Sequence, residues 1–461
     1  MNTTDFSSLN LRPELLENLA TLDFHAMTEV QAKALPMILA GRDVIAQAKT
    51  GSGKTAAFAL GLLQNLDVKR FRIQSLVLCP TRELADQVAQ EIRRLARAVH
   101  NIKVLTLCGG APFGPQLGSL EHGAHIVVGT PGRIEEHLVK GSLKLNDINT
   151  LVLDEADRML DMGFQPALEA IVSYLPERRQ NLLFSATFAP PIRAIAERFL
   201  QNPAMVELKS THDESSIAQT FFRVEGDAPD RLTALRLLLV TRRPDSTLVF
   251  ANTKAEVQQI ADELKRHGFS ALALHGDLEQ KIRDQTLVLF ANKSASILVA
   301  TDVAARGLDI DAVDLVINYQ IAREAEVHVH RIGRTGRAGS SGEAVTLVSE
   351  KERFKLERLG ELLQNTPNLE NLPPLSLLNQ PGFKPPMATL QIDGGKKQKL
   401  RPGDIVGALT GEGGLTADSI GKISLGENTT YVAVKRNVAN DALGQISNGK
   451  LKGRSFRARL I

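Results

Sequence analysis

The stretch QAKTGSGKT, from Gln47 to Thr55, lies between the apolar VIA and the helical pattern AAFALGLL. Gly51 and Gly53 let the backbone turn its N–H groups inward on phosphate oxygens, and the helix N-terminus that follows adds a favourable dipole. Lys54 can then reach the terminal phosphates of a nucleotide, and Thr55 can hold Mg2+. Ala48, Lys49, Thr50 and Ser52 complete the loop, with Ala48 standing where the strict phosphate-loop pattern has glycine. A second group is NTLVLDEADRML, in which Leu151, Val152 and Leu153 read as a buried strand. It delivers Asp154 and Glu155 to a C-terminal sheet edge, where α/β sheets bind ligands. Asp154 can hold Mg2+ through water. Glu155 can orient and deprotonate an attacking water, because in-line phosphoryl transfer is mostly positioning and electrostatics. Acidic pairs after strands also serve as helix caps, and it is the upstream phosphate loop that favours the chemical reading.

A third group is VHVHRIGRTGRAG, from Val327 to Gly339, where Arg331, Arg334 and Arg337 are three apart with glycines between them. Three cations at that spacing call for an anion, and a neighbouring domain's triphosphate is the natural one. A solvated basic loop is the alternative.

The elements that must position these groups show an internal repeat. LVLCPTRELADQVAQEIRRL begins at Leu76 and LVFANTKAEVQQIADELKRH at Leu248, an offset of 172 residues. HIVVGT, ending at Thr130, pairs with SILVAT, ending at Thr301, at an offset of 171. Apolar residues recur at helical spacing after each first run: Leu84, Val88, Ile92 and Leu95, then Val257, Ile260, Ala261 and Leu264. The reading is two α/β units of one plan, with buried parallel strands alternating with helices. A polar hinge is expected over 209–219. A linker with six prolines, expected to be extended and semi-rigid, covers 365–386.

With these motifs in place, the chain resembles the DEAD-box RNA helicases over nearly all of Phe6 to Gly339. Asp154-Glu155-Ala156-Asp157 spells the family name, and AKTGSGKT fits the family's own phosphate loop, which has alanine at the position of Ala48. PTRELA (Pro80 to Ala85), Gly109-Gly110, TPGR (Thr130 to Arg133) and SAT (Ser185 to Thr187) follow in order. The resemblance implies tandem RecA-like domains over 1–208 and 220–364, with ATP and Mg2+ as cofactors and RNA as partner. It implies adenine reading by Phe24, Thr28 and Gln31, with Phe6 upstream, in a segment where Asp23 and Met27 replace the usual glycine and proline. Ser185 and Thr187 would couple the ATP state to unwinding. Pro80, Thr81, Arg82, Gly110, Thr130 and Arg133 would contact RNA backbone, which positions a strand without reading its sequence. In the second half, Asn252, Thr253 and Thr301, with Asp302 and Arg306, would lie near RNA, and Gln280 and Arg283 fit the family's QxxR. Gly307 and Asp309 would lie near phosphate and ribose. His330 would link the RNA and ATP sites, and Arg334 and Arg337 would act as arginine fingers. The implied mechanism is a clamp closing on ATP and RNA together. An ATP-gated RNA clamp that remodels without unwinding, and a DNA-directed helicase of the same superfamily, are the alternatives.

Net charge is +3 overall, but 384–461 carry 13 Lys and Arg against 6 Asp and Glu. That asymmetry suits a polyanion or a solvated face alike. Residues 387–461 read as βαββαβ: ATLQIDGG, a helix from Pro402, SIGKISL, TYVAVKR, a helix ended by Gly449, and KGRSFRARL. That is the plan of an RNA-recognition module, an α+β fold, although of its aromatic platform only Tyr431 is present. Lys396, Lys397, Lys399 and Arg401, with Lys450, Lys452, Arg454, Arg457 and Arg459, offer an electrostatic route instead. This unit resembles the C-terminal domain of the DbpA subfamily. The likeness implies binding to a hairpin of 23S rRNA near the peptidyl-transferase centre, and a role in large-subunit assembly. Cys79 and Cys108, each ending an apolar run, read as buried free thiols. No signal peptide or membrane span is visible, so the cytosol is the expected compartment and a monomer the expected state.

Overall fold

The computed structural model describes residues 5–48, 51–208, 217–226, 228–305, 313–336, 342–363, 367–411 and 414–461. The chain divides into two compact units, the first closing near residue 211 and the second running on to Ile461. No helix among the described residues is long and apolar enough to cross a membrane.

Short runs of valine, isoleucine and leucine make the first sheet. Its strands are β1 (Val44–Gln47), β2 (Ser75–Leu78), β3 (Val104–Leu107), β4 (Ile126–Gly129), β5 (Thr150–Leu153), β6 (Gln180–Ser185) and β7 (Ala204–Glu207). All pair in parallel, in the order β3-β4-β2-β5-β6-β1-β7. Alternate residues enter opposite helical layers: Val77 and Val152 face one core, while Leu76, Leu78, Leu151 and Leu153 face the other. Burial on both faces is why these strands read as unbroken apolar runs.

The second sheet contains β8 (Ile217–Val224), β9 (Thr247–Phe250), β10 (Ala271–Leu274), β11 (Ile297–Ala300), β12 (Leu315–Asn318), β13 (Gly342–Ser349) and β14 (Leu369–Glu370). Its order, β10-β11-β9-β12-β13-β8-β14, repeats the first strand for strand. The internal repeat is therefore a repeat of topology. The expected hinge falls largely outside the described residues, and Ile217–Gln219 open β8.

The third sheet is antiparallel, β16-β17-β15-β18, from β15 (Met387–Ile392), β16 (Ile420–Leu425), β17 (Thr430–Lys435) and β18 (Ala458–Leu460). The helices Pro402–Thr410 and Ala439–Asn448 complete the βαββαβ order. Of KGRSFRARL only the last residues pair as a strand. Ala388, Leu390, Ile392, Val432 and Val434 pack on these helices through Ile405, Leu409, Ala442 and Ile446. The other face is also covered at Thr389, which is 0% exposed. Its Oγ1 accepts from Asn292 Nδ2 at 3.1 Å and lies 2.6 Å from Ser294 Oγ, both residues of the second α/β layer.

The proline-rich segment is packed rather than free. Leu369–Glu370 pairs with β8, Phe383 meets Phe269 edge-on at 5.8 Å, and Arg436 Nε donates to Pro385 O at 2.7 Å. Proline content fixes local stiffness, but burial of Leu372 and Phe383 against the second core decides where the chain lies.

Candidate active site and nucleic-acid interface

Parallel pairing brings every motif of the first unit to one sheet edge, and strand order sorts them. The phosphate loop follows β1, Ser185-Ala186-Thr187 closes β6, and Asp154-Glu155 follows β5. These three strands are neighbours. Pro80-Thr81-Arg82 follows β2, Thr130–Arg133 follows β4 and Gly109-Gly110 follows β3, on the other half of the edge.

In the nucleotide half, Gly51 and Gly53 adopt left-handed φ of 84° and 94°. A Cβ at Gly53 would fall 2.6 Å from Gln31 Nε2 and 2.9 Å from Thr28 Oγ1, so only glycine fits under that segment. Gln31 Nε2 donates to Gly53 O at 3.1 Å, and its Oε1 accepts from Thr28 N at 2.9 Å. Thr28 and Gln31 thus rest directly on the phosphate loop. Phe24 lies beside them, edge-on to Phe6 at 6.2 Å and under Arg94 at 5.5 Å. Asp23 takes φ +59°, a conformation that suits the glycine it replaces. Lys54 is 6% exposed and its Nζ donates to Ala48 O at 2.9 Å, while Ala48 N donates to Ser185 O at 2.9 Å. Lys49 and Thr50 lie outside the described residues.

Asp154 is 2% exposed, and burial raises its carboxyl from 3.8 to about 7 against the pull of Lys54; Glu155 adds to the rise. Glu155 is itself buried, with φ +51°, and Arg158 Nε stands 3.5 Å from its Oε2. A non-glycine residue held in that region is strained, and such strain concentrates at working sites. Asp157, to which the sequence reading gave no role, ties this segment to the next motif. Its Oδ2 accepts from Ala186 N and Thr187 N at 3.1 Å and from Thr187 Oγ1 at 3.4 Å. Ser185 Oγ is buried and has no hydrogen-bond partner among the described residues. A glycine cradle, a buried lysine, a buried carboxylate raised in pKa by desolvation and an orphan hydroxyl fit a Mg2+-bound triphosphate.

In the other half, Thr81 caps the helix Arg82–Leu95, its Oγ1 accepting from Leu84 N, and Arg82 lies 3.6 Å from Asp86. Pro80 is buried and Gly110 has φ +76°. Gly109 N donates to Thr130 Oγ1 at 3.4 Å, and Arg133 Nη1 donates to Ala111 O at 3.0 Å, so these two motifs touch. Cys79 and Cys108 are buried free thiols beneath them, as expected.

In the second unit, Thr253 caps the helix Lys254–Arg266 as Thr81 caps its own, and Thr301 Oγ1 accepts from Ala304 N. Arg331 departs from its expected role. It is 1% exposed, forms a two-point ion pair with Asp302 at 2.6 and 2.8 Å, and also donates to Asn252 Oδ1 and Gln320 O. The anion this cation needs is in its own unit, because Asp302 lies across the sheet edge from it, which sequence spacing cannot reveal. His330 is half-buried and Arg334 is 4% exposed. Arg306, Gly307, Asp309 and Arg337 lie outside the described residues.

Beside the third sheet, the loop that carries Lys396, Lys397, Lys399 and Arg401 meets Lys452. Lys452 Nζ donates to Lys399 O at 2.8 Å and lies 3.5 Å from Asp404. Tyr431 stands instead in the cross-strand row Ser424–Tyr431–Gln391–Arg459, on the face that Thr389 shares with the second α/β layer. Burial raises its phenol, and Asp284 of that layer adds to the shift.

Comparison with known proteins gives these features a family. Residues 28–195 match DEAD/DEAH box helicase, 230–339 the helicase conserved C-terminal domain, and 389–460 the DbpA RNA binding domain. ATP-dependent RNA helicase DbpA of Escherichia coli is 53% identical over 99% of this chain and 100% of its own. DEAD-box ATP-dependent RNA helicase CshA of Geobacillus kaustophilus is 43% identical over 77% of this chain and 76% of its own. Among solved structures, S. cerevisiae Dbp5 bound to RNA and ADP BeF3 superposes with TM-score 0.70 at 30% identity, covering 80% of this chain and 96% of that one. The chain belongs to the DEAD-box ATP-dependent RNA helicases, enzymes that couple ATP hydrolysis to RNA. Within them it falls in the DbpA subfamily, by its length-wide identity and its third domain.

Proposed function

We propose that this helicase acts on 23S rRNA, at a hairpin near the peptidyl-transferase centre, during assembly of the large ribosomal subunit. It works as a cytoplasmic monomer, with domains at 1–208, 220–364 and 387–461. The observation that carries the reading is the third domain, whose match to the DbpA RNA binding domain coincides with a basic cluster held in strained backbone. Lys399 and Lys452 both adopt left-handed φ, 60° and 53°, which costs about 1–2 kcal/mol each. Lys452 Nζ donates to Lys399 O at 2.8 Å, so the two basic loops meet, as expected of a phosphate-binding surface.

In the first unit, the backbone of 48–53, with Lys54, Thr55 and the adenine readers Phe24, Thr28 and Gln31, would bind ATP. Thr55 and, through water, Asp154 would hold Mg2+, which when bound screens the charge of the phosphates. Glu155 would orient the attacking water and take its proton. Its fixed backbone aims the carboxylate while Arg158 steadies it. Thr187, tied to Asp157, and Ser185 would pass the state of the site to the RNA half of the edge. By the family resemblance, His330, Arg334 and Arg337, with Gly307 and Asp309, would serve the same site. Pro80, Thr81, Arg82, Gly110, Thr130, Arg133, Asn252, Thr253 and Thr301 would hold RNA backbone.

The test is the ATPase rate of the full chain with a 23S rRNA fragment containing the hairpin, against unrelated RNA of equal length. Half-maximal stimulation is expected at far lower concentrations of the ribosomal fragment, and replacing Lys396, Lys397, Lys452 and Arg454 with alanine should abolish that preference. Equal response to both RNAs would overturn the targeting assignment.

A further inference from the structure

Two loops of the first unit that the proposed function gives to RNA are joined by a buried polar and aromatic cluster for which that function has no use. Gly109-Gly110 follows β3 and leads into the helix Phe113–Glu121, while Thr130 opens the helix Pro131–Val139, which carries Arg133 and His137. The Phe113 ring stacks on His137 with centroids 4.1 Å apart and planes 17° from parallel. Lys140 Nζ lies 4.1 Å and Arg133 Cζ 5.7 Å from the same ring centroid. Beneath the ring, Gln116 Nε2 donates to Cys108 O at 3.0 Å, and Gln116 Oε1 lies 3.2 Å from His137 Nε2. His137 is 0% exposed and Gln116 9% exposed, and His137 Nδ1 stands 2.8 Å from Ser142 Oγ.

The Cys108 carbonyl fixes the direction of the Gln116 bonds. Cys108 O can only accept, so the amide nitrogen of Gln116 faces it and the amide oxygen faces His137. His137 Nε2 therefore carries the proton, while Ser142 Oγ lies 2.8 Å from Nδ1 and 3.1 Å from His137 O, to which it donates. Burial holds the imidazole below its ordinary pKa, and Arg133 and Lys140 push the same way while Glu136 opposes them. The ring stays neutral, and a neutral ring can lie against phenylalanine beside two cations without repelling them. The carbonyl just before the glycine pair is thus linked, through Gln116 and then His137, to the helix that carries Arg133. Arg133 Nη1 is held by Ala111 O and Nε by Glu136 at 2.9 Å. A guanidinium fixed from two sides is preorganised for a phosphate contact.

We propose that Phe113, Gln116 and His137 are positioning residues for RNA: they lock the Gly109-Gly110 turn and the Arg133 guanidinium into one geometry that matches a backbone phosphate. The proposal rests on the assignment of those two motifs to RNA. Preorganisation of this kind lowers the ordering cost of binding and should act on RNA affinity, with ATP binding untouched.

The experiment is steady-state ATPase activity of the full chain, titrated with RNA and separately with ATP. Phe113→Leu and Gln116→Met should each raise the RNA concentration for half-maximal activity about tenfold. The KM for ATP and the rate at saturating RNA should be unchanged. Phe113→Tyr, which keeps the ring, should restore the RNA response. In an Arg133→Ala background Phe113→Leu should add nothing further, since it acts through Arg133. If Phe113→Leu fails to fold, Gln116→Met carries the same reading. Loss of thermal stability with an unchanged RNA response would overturn the proposal, as would equal effects on RNA and ATP. If Arg133→Ala itself leaves the RNA response unchanged, it is the underlying RNA assignment that fails.

Discussion

The first and second sheets share one strand order, and their first strands lead to different ends. After β1 the chain enters a glycine loop and a helix whose second residue is Thr55. After β8 it continues Glu225-Gly226 with no such loop. After β5 stand Asp154 and Glu155. After β12, at the matching place, stand Tyr319, buried in the core, and Gln320, which bonds Asn252 N and Glu256. The scaffold is common to both sheets. The chemistry belongs to a handful of strand-end residues that only one of them has. Two buried charges differ in the same sense: burial pushes the Asp154 carboxyl up in the first unit, while Arg331 in the second is paired with Asp302.

Three substitutions test that contrast. Arg331→Met leaves Asp302 without its partner and should cost about 3–5 kcal/mol of stability, read as a fall in the denaturant midpoint of the second unit. A loss below about 1 kcal/mol would mean that Arg331 is not structural. Asp154 behaves in the opposite way. Its carboxyl is raised from 3.8 to about 7, so within that window the folded state keeps a proton that the unfolded state has lost. Stability without nucleotide must fall as pH rises through it. Asp154→Asn removes the dependence, and the variant should gain about 2–4 kcal/mol relative to the parent from the lower to the upper end. A difference that does not change with pH contradicts the burial argument. The smallest effect is expected in the segment around Phe24, which the second unit lacks. Asp23→Gly should relieve left-handed strain and stabilise the protein by about 1 kcal/mol, seen as a higher melting temperature.

What could be read in advance was whatever is local. Strands such as Leu151–Leu153, the phosphate loop and the capped helices after Thr81 and Thr253 are each set by a few adjacent residues. The two sheets could be matched because the repeat keeps nearly constant spacing. Contacts between distant positions left no such mark. Nothing in the sequence joins Arg331 to Asp302 in place of a phosphate, or Phe113 to His137. The thin aromatic platform of the third domain was visible, yet its physical counterpart was not: Thr389 on that face is buried against Asn292 and Ser294, so part of the surface is closed to stacking bases. The proline-rich segment misled for the same reason, since composition reports stiffness and says nothing of the apolar surface waiting for Phe383.

The central claim is that hydrolysis depends on the strained, buried carboxylate of Glu155 in the first unit. Glu155→Gln keeps the shape of the site and removes its base. Single-turnover hydrolysis at saturating RNA should fall by at least about a hundredfold, with equilibrium binding of ATP and of RNA retained. Near-normal turnover in that variant would contradict the account.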